Sequence, residues 1–489
     1  MTTHPDVLIV GAGPTGLVLG CDLARRGVRA RIVEAAPGLF PGSRGKGLQP
    51  RTQEVFDDLG VIDAVLADGG PYPLLVHWQD GERGHEWALE ESFPADPRVP
   101  YGDACMLPQW RTQEILYDRL RELGGSVEFG TRLTGLDQDA DAVHARLSTG
   151  GGPAVTVRAD YLVGGDGGRS TVRRALGIGM AGETVDPAPM LVADVRVDGL
   201  DRRNWHVWHV PEVGQLLLCP LAGTDQFQLV ARYVDPQAVP DTTPDGVRAV
   251  LAARSHLTAE QVTEVRWASD FRPRAALADR FRVGRAFLAG DAAHIHSPAG
   301  GQGLNTSVQD AYNLGWKLGQ VLRHGAHPDL LDSYQAERLP VAADVLGIST
   351  RLHSGMEGGQ AAWMARSGPQ TRQLGVGYRG GPLAAEHRAD LPEDALHAGD
   401  RAPDALGTTP DGAPLRLFDA FRGPHFTLLA VGTALPAVGH PFVRAHRVDG
   451  PAVRAAYGAG LFLVRPDGYL GLAATDPADL SGYLARFTG

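Results

Sequence analysis

The sequence has few of the residues that would close it by covalent or metal cross-links. Its three cysteines, Cys21, Cys105 and Cys219, lie far apart in 489 residues and form neither a C-x-x-C pair nor a metal-type cluster. That spacing excludes a disulfide scaffold and a zinc ribbon, and buried free thiols in a reducing cytosol are expected instead. Long apolar runs are also missing, since none approaches the ~18 residues of a membrane span. No cationic start leads into an apolar stretch and a small-residue cleavage site, so no export signal is expected and a cytoplasmic location is. Basic runs are absent as well: 46 Lys and Arg against 57 Asp and Glu leave a net charge of −11. This balance argues against nucleic acid and membrane as partners. The 63 glycines and 35 prolines follow no period, which excludes a repeat architecture.

Glycine is instead concentrated where it can do chemistry. Gly11-Ala12-Gly13-Pro14-Thr15-Gly16 follows a short apolar strand, Asp6 to Val10, and precedes a helix-period segment from Leu17 to Arg26 that stops at Gly27. Arg29 to Glu34 reads as the next strand, which completes a βαβ unit. Within it Gly11 permits the tight turn, Gly13 lets the backbone approach a pyrophosphate, and Gly16 lets helix and strand pack closely. Glu34 ends the second strand, where a carboxylate can accept both hydroxyl protons of an unphosphorylated ribose, as in FAD or NAD.

A second glycine-rich turn lies far along the chain, from Gly290 to Asn305. The strand Ala286 to Ala289 delivers Asp291, a candidate for a sugar or ribityl hydroxyl whose ordinary alternative is a helix cap. Pro298, Gly300, Gly301 and Gly303 then open a helix whose apolar positions Leu304, Val308, Ala311, Leu314, Leu318, Val321 and Leu322 run to about Gly325. Unobstructed N–H groups at such a start favour negative charge by ~0.3–1 kcal/mol when exposed and up to ~2 when partly buried. Two such turns, widely separated, suit a long dinucleotide, one cradling pyrophosphate and the other receiving the far end. A flavin is the natural candidate. His294 and His296 stand two apart in a glycine loop, a spacing that lacks acidic or thiolate partners, so packing or hydrogen bonding is expected of them and no metal site is.

Elsewhere, Ala159 to Gly164 reads as a buried strand leading into Gly165-Asp166-Gly167 and a helix from Thr171 to Leu176. Between Met190 and Tyr233 four alternating segments predict an antiparallel sheet, one face packed and the other turned to a cavity or solvent. Residues 354–400 are rich in Gly, Pro and polar groups and mark a linker. Phe426 to Val431, Gly460 to Val464 and Tyr469 to Ala473 predict a small α/β module at the end.

With these motifs in place, the chain resembles class A flavoprotein monooxygenases of the para-hydroxybenzoate hydroxylase fold. Ser297 to Asn305 and Val308 to Leu318 are similar to the branch of aromatic polyketide hydroxylases, rifampicin monooxygenase and phenol hydroxylases. The resemblance implies an α/β fold in which a Rossmann-like FAD-binding domain (1–75, 100–180 and 275–353) is interleaved with an antiparallel-sheet substrate domain (76–99 and 181–274). After the linker 354–400 it implies a thioredoxin-like domain, 401–489, here without cysteine and so without thiol redox. Carried onto this sequence, the family pattern places FAD against the turn from Gly11 through Pro14 and Thr15 to Gly16, and against Glu34. It puts Arg44 and Gln109 on the flavin side, Asp291 on the ribityl–pyrophosphate stretch, and Pro298, Gly301, Gly303, Leu304 and Asn305 around the ring. Asp166 belongs to an Asp-Gly motif associated with FAD and the nicotinamide nucleotide. The implied chemistry is reduction of FAD by NADPH or NADH, then O2 addition to form a C4a-hydroperoxide that hydroxylates an electron-rich ring. Water must be kept out.

The expected partner is a small aromatic molecule, and a homodimer is left open. Substrate residues carry no family-wide motif, so no catalytic residue is named. His77, Trp205, His206, Trp208, His209 and Tyr233 are the candidates to line an aromatic pocket or take a phenolic proton. Three other readings share the flavin. A halogenase is disfavoured because Trp205 and Trp208 are three apart instead of two and a catalytic-lysine context is missing. A Baeyer–Villiger oxygenase of a polycyclic ketone uses the same peroxide, and a non-catalytic FAD-binding redox sensor belongs to a different class.

Overall fold

The computed structural model describes residues 4–89, 92–94, 96–184, 186–297, 301–356 and 371–488. The chain begins with Val7–Val10, four buried apolar residues in a row, as a strand covered on both faces requires. It pairs in parallel with Ala30–Val33 on one side and Tyr161–Gly164 on the other. Ala286–Leu288 and Val127–Glu128 extend the sheet in parallel, and Arg282–Val283 closes one edge antiparallel. The first helix, Pro14–Arg25, begins three residues before its apolar period does, because Pro at a first position is already set for a helix. It packs against the long helix Gln302–His324 and against Gln109–Glu122. The long helix stops at Gly325, whose φ of 75° ends it in the left-handed region. Four of these five parallel strands therefore release their chains at one edge, into turns at Gly11, Glu34, Gly165 and Gly290. In an open α/β sheet that edge is where ligands bind.

A second sheet of seven strands runs in the order Val262–Phe271, Met190–Val197, Phe227–Arg232, Gly214–Pro220, Asn204–Val210, Leu74–Gln79 and Glu82–Trp87. The alternating segments are antiparallel as expected, with one correction: Asn204–Val210 lies parallel to Leu74–Gln79. These two strands come from distant parts of the chain, so no hairpin turn fixes their direction. The period of two sorts the side chains cleanly. Leu191, Ala193, Val195, Trp208, Leu216, Leu218 and Leu229 share one core with Val247 and Leu251 of the helix Pro244–Arg254. Leu75, Trp205, Val207, Leu217 and Cys219 pack on the opposite face with Met106 of the nucleotide region. Each fully buried Leu or Val contributes roughly 1.5–3 kcal/mol, so a one-residue slip that exchanged the faces would be prohibitive.

The third sheet is built near the end of the chain, in the order Ala385–Glu386, Leu470–Ala474, Gly460–Val464, Phe426–Val431 and Val443–Val448. One of its faces shares a core with Trp316 of the long helix, so the module is welded to the centre of the molecule. Its first strand, Ala385–Glu386, falls inside the stretch read as a linker and pairs in parallel with Leu470–Ala474. Among the described residues no helix is long and apolar enough to cross a membrane.

Candidate active site

The edge of the first sheet opens into a cleft of about 1120 Å³. Pockets for single small molecules span about 300–1,000 Å³, so this one suits a longer ligand. Gly11, Gly13, Pro14, Thr15 and Glu34 line one part of it, Asp166 and Gly167 another, and Asp291, Gly301, Gly303 and Leu304 a third.

The glycines of the first turn have separate tasks. A Cβ on Gly11, at φ 106°, would strike Gly165, and one on Gly16 would strike the Gly11 carbonyl. A Cβ on Gly13 would meet nothing within 4 Å. That is the cradle expected for a pyrophosphate: two glycines hold the backbone path and the third leaves the space free. Glu34 steadies the same turn, its Oε2 accepting from the Ala12 N–H at 2.9 Å and Oε1 from Ala36 at 2.8 Å. Asp166 also serves the backbone, accepting from the Ser170 hydroxyl at 2.5 Å and from the Thr171 N–H at 2.6 Å at the start of the helix Thr171–Ala175.

Asp291 behaves differently. It sits in a single 3₁₀ turn, Gly290–Ala292, and its carboxylate has no hydrogen-bond partner among the described residues. It is exposed to the cleft yet ringed by protein; the loss of bulk water raises its carboxyl above the ordinary value, against His294 and Arg44. An unpartnered carboxylate at the cleft wall fits a polyol stretch of a ligand better than it fits a helix cap. The helix that follows starts at Gly301 with φ 62°, leaving its first N–H groups beside the cleft. Pro298 and Gly300 lie outside the described residues.

On the opposite wall, Arg44 lies over the rings of Phe40 and Trp267 at 5.3 and 5.9 Å. Gln109 exchanges two bonds with Gly45, its Oε1 accepting at 3.0 Å and its own N–H donating at 3.1 Å, and so fixes the loop that carries Arg44. Asn305 has no exposed surface and does not line the cleft. Its Oδ1 accepts from Gln49 N–H at 2.8 Å, and its Nδ2 donates to the carbonyls of Gly47 and Gly301 at 2.9 and 2.7 Å. The side chain placed around the ring by resemblance thus acts at one remove, tying the helix start to the Arg44 loop.

The six substrate candidates are split by the sheet. Trp205, His77 and His209 lie at inner-face positions, whereas His206, Trp208 and Tyr233 point to the outer face and are corrected as pocket residues. His206 accepts from Trp78 Nε1 at 3.0 Å and bonds the Asp201 carbonyl, Trp208 donates to His256 at 3.3 Å, and Tyr233 lies under Arg254 at 4.4 Å. Burial pushes His206 below the usual histidine value, and it does the same for His77, helped by His209 and His85. Aromatic content alone could not separate the two faces, because each face of Asn204–Val210 carries one Trp and one His.

Sequence reading misses Lys46, Asp194 and Asp310. Lys46 lines the cleft, bonds the Gln228 side-chain carbonyl and lies 4.6 Å from the Trp205 ring, so it joins cleft and inner face. Asp194, opposite Gln228 on that face, is fully buried with both oxygens unpartnered. Burial pushes its carboxyl up to about 6, against Ser43, Arg266 and Lys46. Asp310 sits on the apolar stripe of the long helix, the one available signal for it, and accepts from His294 Nε2 at 2.5 Å. His294 therefore does have an acidic partner, supplied by a distant helix. Among the described residues no cluster suited to a metal occurs.

Residues 4–349 match the family described as FAD binding domain. The chain is 47% identical over 492 residues to a flavin-dependent monooxygenase of Mycobacteroides abscessus, covering 98% of this chain and 99% of that one. It is 38% identical over 451 residues to the 6-methylpretetramide 4-monooxygenase of Streptomyces rimosus, covering 91% and 77%. Among solved structures, a ternary complex of aklavinone-11 hydroxylase with FAD and aklavinone has a TM-score of 0.79 at 32% identity, over 100% of this chain and 99% of that one. The match to the FAD-binding family over residues 4–349, together with relatives that cover most of the chain, identifies the protein as a member of the FAD-dependent monooxygenases.

Proposed function

We propose that the protein hydroxylates a phenolic, polycyclic, polyketide-like molecule, with NADPH or NADH as electron donor and O2 as the source of the inserted atom. The observation that carries this reading is the junction at Lys46, where the cleft meets a buried face made of Trp205, Val207, Leu217 and the unpartnered Asp194. A flat apolar face with a few convergent polar groups suits a multi-ring phenol. Relatives named for 6-methylpretetramide and aklavinone support it.

In this reading the turn Gly11–Gly16 would hold the pyrophosphate, and Glu34 the ribose through the lone pairs its backbone bonds leave free. Asp291 would meet the ribityl stretch, and the helix start from Gly301 to Leu304 would support the ring, with Arg44 on its loop opposite. When bound, FAD supplies two-electron reduction and activation of O2. Trp205 would lie against the substrate rings, and Asp194 would accept a hydrogen bond from a substrate hydroxyl. A carboxyl near 6 is ionised at neutral pH yet basic enough to draw on a phenolic proton. The sheet between this face and the helix Pro244–Arg254 excludes water from it. We read the C-terminal sheet as the thioredoxin-like module; with no cysteine in 401–489, it serves packing.

The test is a screen of polycyclic phenols for stimulated NADPH consumption, with peroxide measured in parallel and products assigned by NMR. Stimulation with a ring-hydroxylated product is expected. No stimulation by any phenol, or an ester product from a ketone, would overturn the hydroxylase reading.

A further inference from the structure

Beside the second glycine turn runs a chain of ionisable groups that oxygen insertion, as read above, does not use. His296 lines the cleft and packs against the start of the long helix, 3.9 Å from the Cβ position of Gly303. It is 8% exposed. One of its nitrogens, Nε2, lies 2.9 Å from His294 Nδ1. The other, Nδ1, is buried and has no hydrogen-bond partner among the described residues. His294 Nε2 in turn lies 2.5 Å from Asp310 Oδ2, with both side chains fully buried.

Asp310 is a fixed anion. It accepts from Gly290 N–H at 3.0 Å and from Arg338 Nε at 2.8 Å, and Arg338 is itself held by the Tyr378 hydroxyl at 3.0 Å. Burial opposes its charge, but His294 and Arg338 hold its carboxyl down to about 2. The tautomers follow from this anion. His294 must donate from Nε2 to Asp310; if neutral, its Nδ1 is an acceptor and His296 must donate from Nε2. The bare lone pair then falls on His296 Nδ1, the atom of these three side chains left without a partner among the described residues.

We propose that His296 is the proton-accepting end of a relay that answers negative charge arriving in the cleft. A proton from solvent bonds to His296 Nδ1; the Nε2–H bond of His296 breaks and that proton joins His294 Nδ1. His294 keeps its Nε2 proton and becomes the cation, its charge lying beside Asp310. One proton is gained in all, and the electrons it balances are the two delivered to the bound FAD by its reductant. The other charges around the pair are Asp291 at the cleft wall and Arg338 behind Asp310; the first favours the cation and the second opposes it. In the resting protein burial keeps His296 well below the usual histidine value, so it is neutral and ready to accept. The proposal rests on FAD occupying this cleft.

The test is the midpoint potential of the bound FAD as a function of pH between about 5.5 and 7.5, the range of histidine titration. A two-electron reduction taking up one proton changes by about 30 mV per pH unit, and one further proton doubles that slope. The wild type is expected to show the doubled slope at the acid end, breaking to the single slope as pH rises. His296→Gln, which keeps a hydrogen-bonding side chain but cannot titrate, is expected to show the single slope throughout. Equal slopes in the two flavin-loaded proteins overturn the relay and leave the monooxygenase reading standing. Should His296→Gln fail to retain FAD, ¹⁵N-histidine NMR of the wild type decides. A new imidazolium signal on anaerobic reduction supports the relay, and an unchanged histidine spectrum overturns it. A wild type that binds no FAD overturns both.

Discussion

Arg465 holds Glu337 with two nitrogens, Nη1 to Oε1 at 2.6 Å and Nη2 to Oε2 at 3.0 Å, and neither side chain has any exposed surface. Lys317 Nζ reaches the same carboxylate at 2.7 Å, and Asp467 accepts from Arg465 and from Trp316 Nε1. This cluster fastens the C-terminal sheet to the long helix and to the helix Asp332–Met356 packed against it. Removing one partner strands the others in a dry interior, which costs about 3–5 kcal/mol. Glu337→Gln is expected to lower the unfolding free energy by that amount, read as a lower urea midpoint with the slope of the transition unchanged. A loss under about 1 kcal/mol would show that the cluster is wetter than its geometry implies.

The same anions set the acid limit. Arg465 and Lys317 hold Glu337 down to about 2 against burial, as Asp310 is held down by its own partners. Unfolded values are about 4.3 and 3.9, so the stability from both groups is complete above those values and is lost as pH falls through the folded ones. The melting temperature is expected to fall steeply between about pH 4.5 and 2. Glu337→Gln should flatten that fall.

Gly13→Ala and Gly16→Ala should fail in different ways. The added methyl at residue 13 enters open space, so the protein is expected to fold with an unchanged melting temperature and lose FAD affinity alone. At residue 16 it meets the Gly11 carbonyl, and stability and FAD are expected to fall together. Calorimetry of FAD binding beside thermal melts separates the two.

Trp205 and Trp208 are three residues apart and lie on opposite faces. Trp208→Ala empties part of the outer core and is expected to cost about 3–5 kcal/mol with little effect on KM for the phenolic substrate. Trp205→Phe keeps most of the packing and is expected to raise KM several-fold with little loss of stability. Equal effects on KM would show that the inner face is not the substrate face.

Asp291→Ala and Asn305→Ala distinguish contact with a ligand from support for it. Asp291 has no hydrogen-bond partner among the described residues, so its removal should weaken FAD binding and leave the melting temperature of the flavin-free protein unchanged. Asn305 makes three bonds to backbone, two of them buried. Its removal should lower that melting temperature as well, each stranded group costing about 1–3 kcal/mol.

The nucleotide-binding half of the molecule was legible in the sequence because its information is local. A glycine needed for a backbone path must stand next to the strand it follows, so Gly11, Gly13 and Gly16 and the turn after Gly290 announce themselves by spacing. The long helix and its stop at Gly325 were legible for the same reason. What only the tertiary structure decided is which side chains share a space once distant segments meet. Trp205 and Trp208 differ by the parity of a strand whose two faces are equally aromatic, and that parity is set by the helix Pro244–Arg254 on one side and Met106 on the other. The acid that pairs with His294 is Asp310, brought to it by the long helix, and Asp194 and Lys46 meet across a sheet and a loop far apart in the chain. Backbone conformation is a property of neighbours in sequence, whereas burial and electrostatic pairing are properties of neighbours in space.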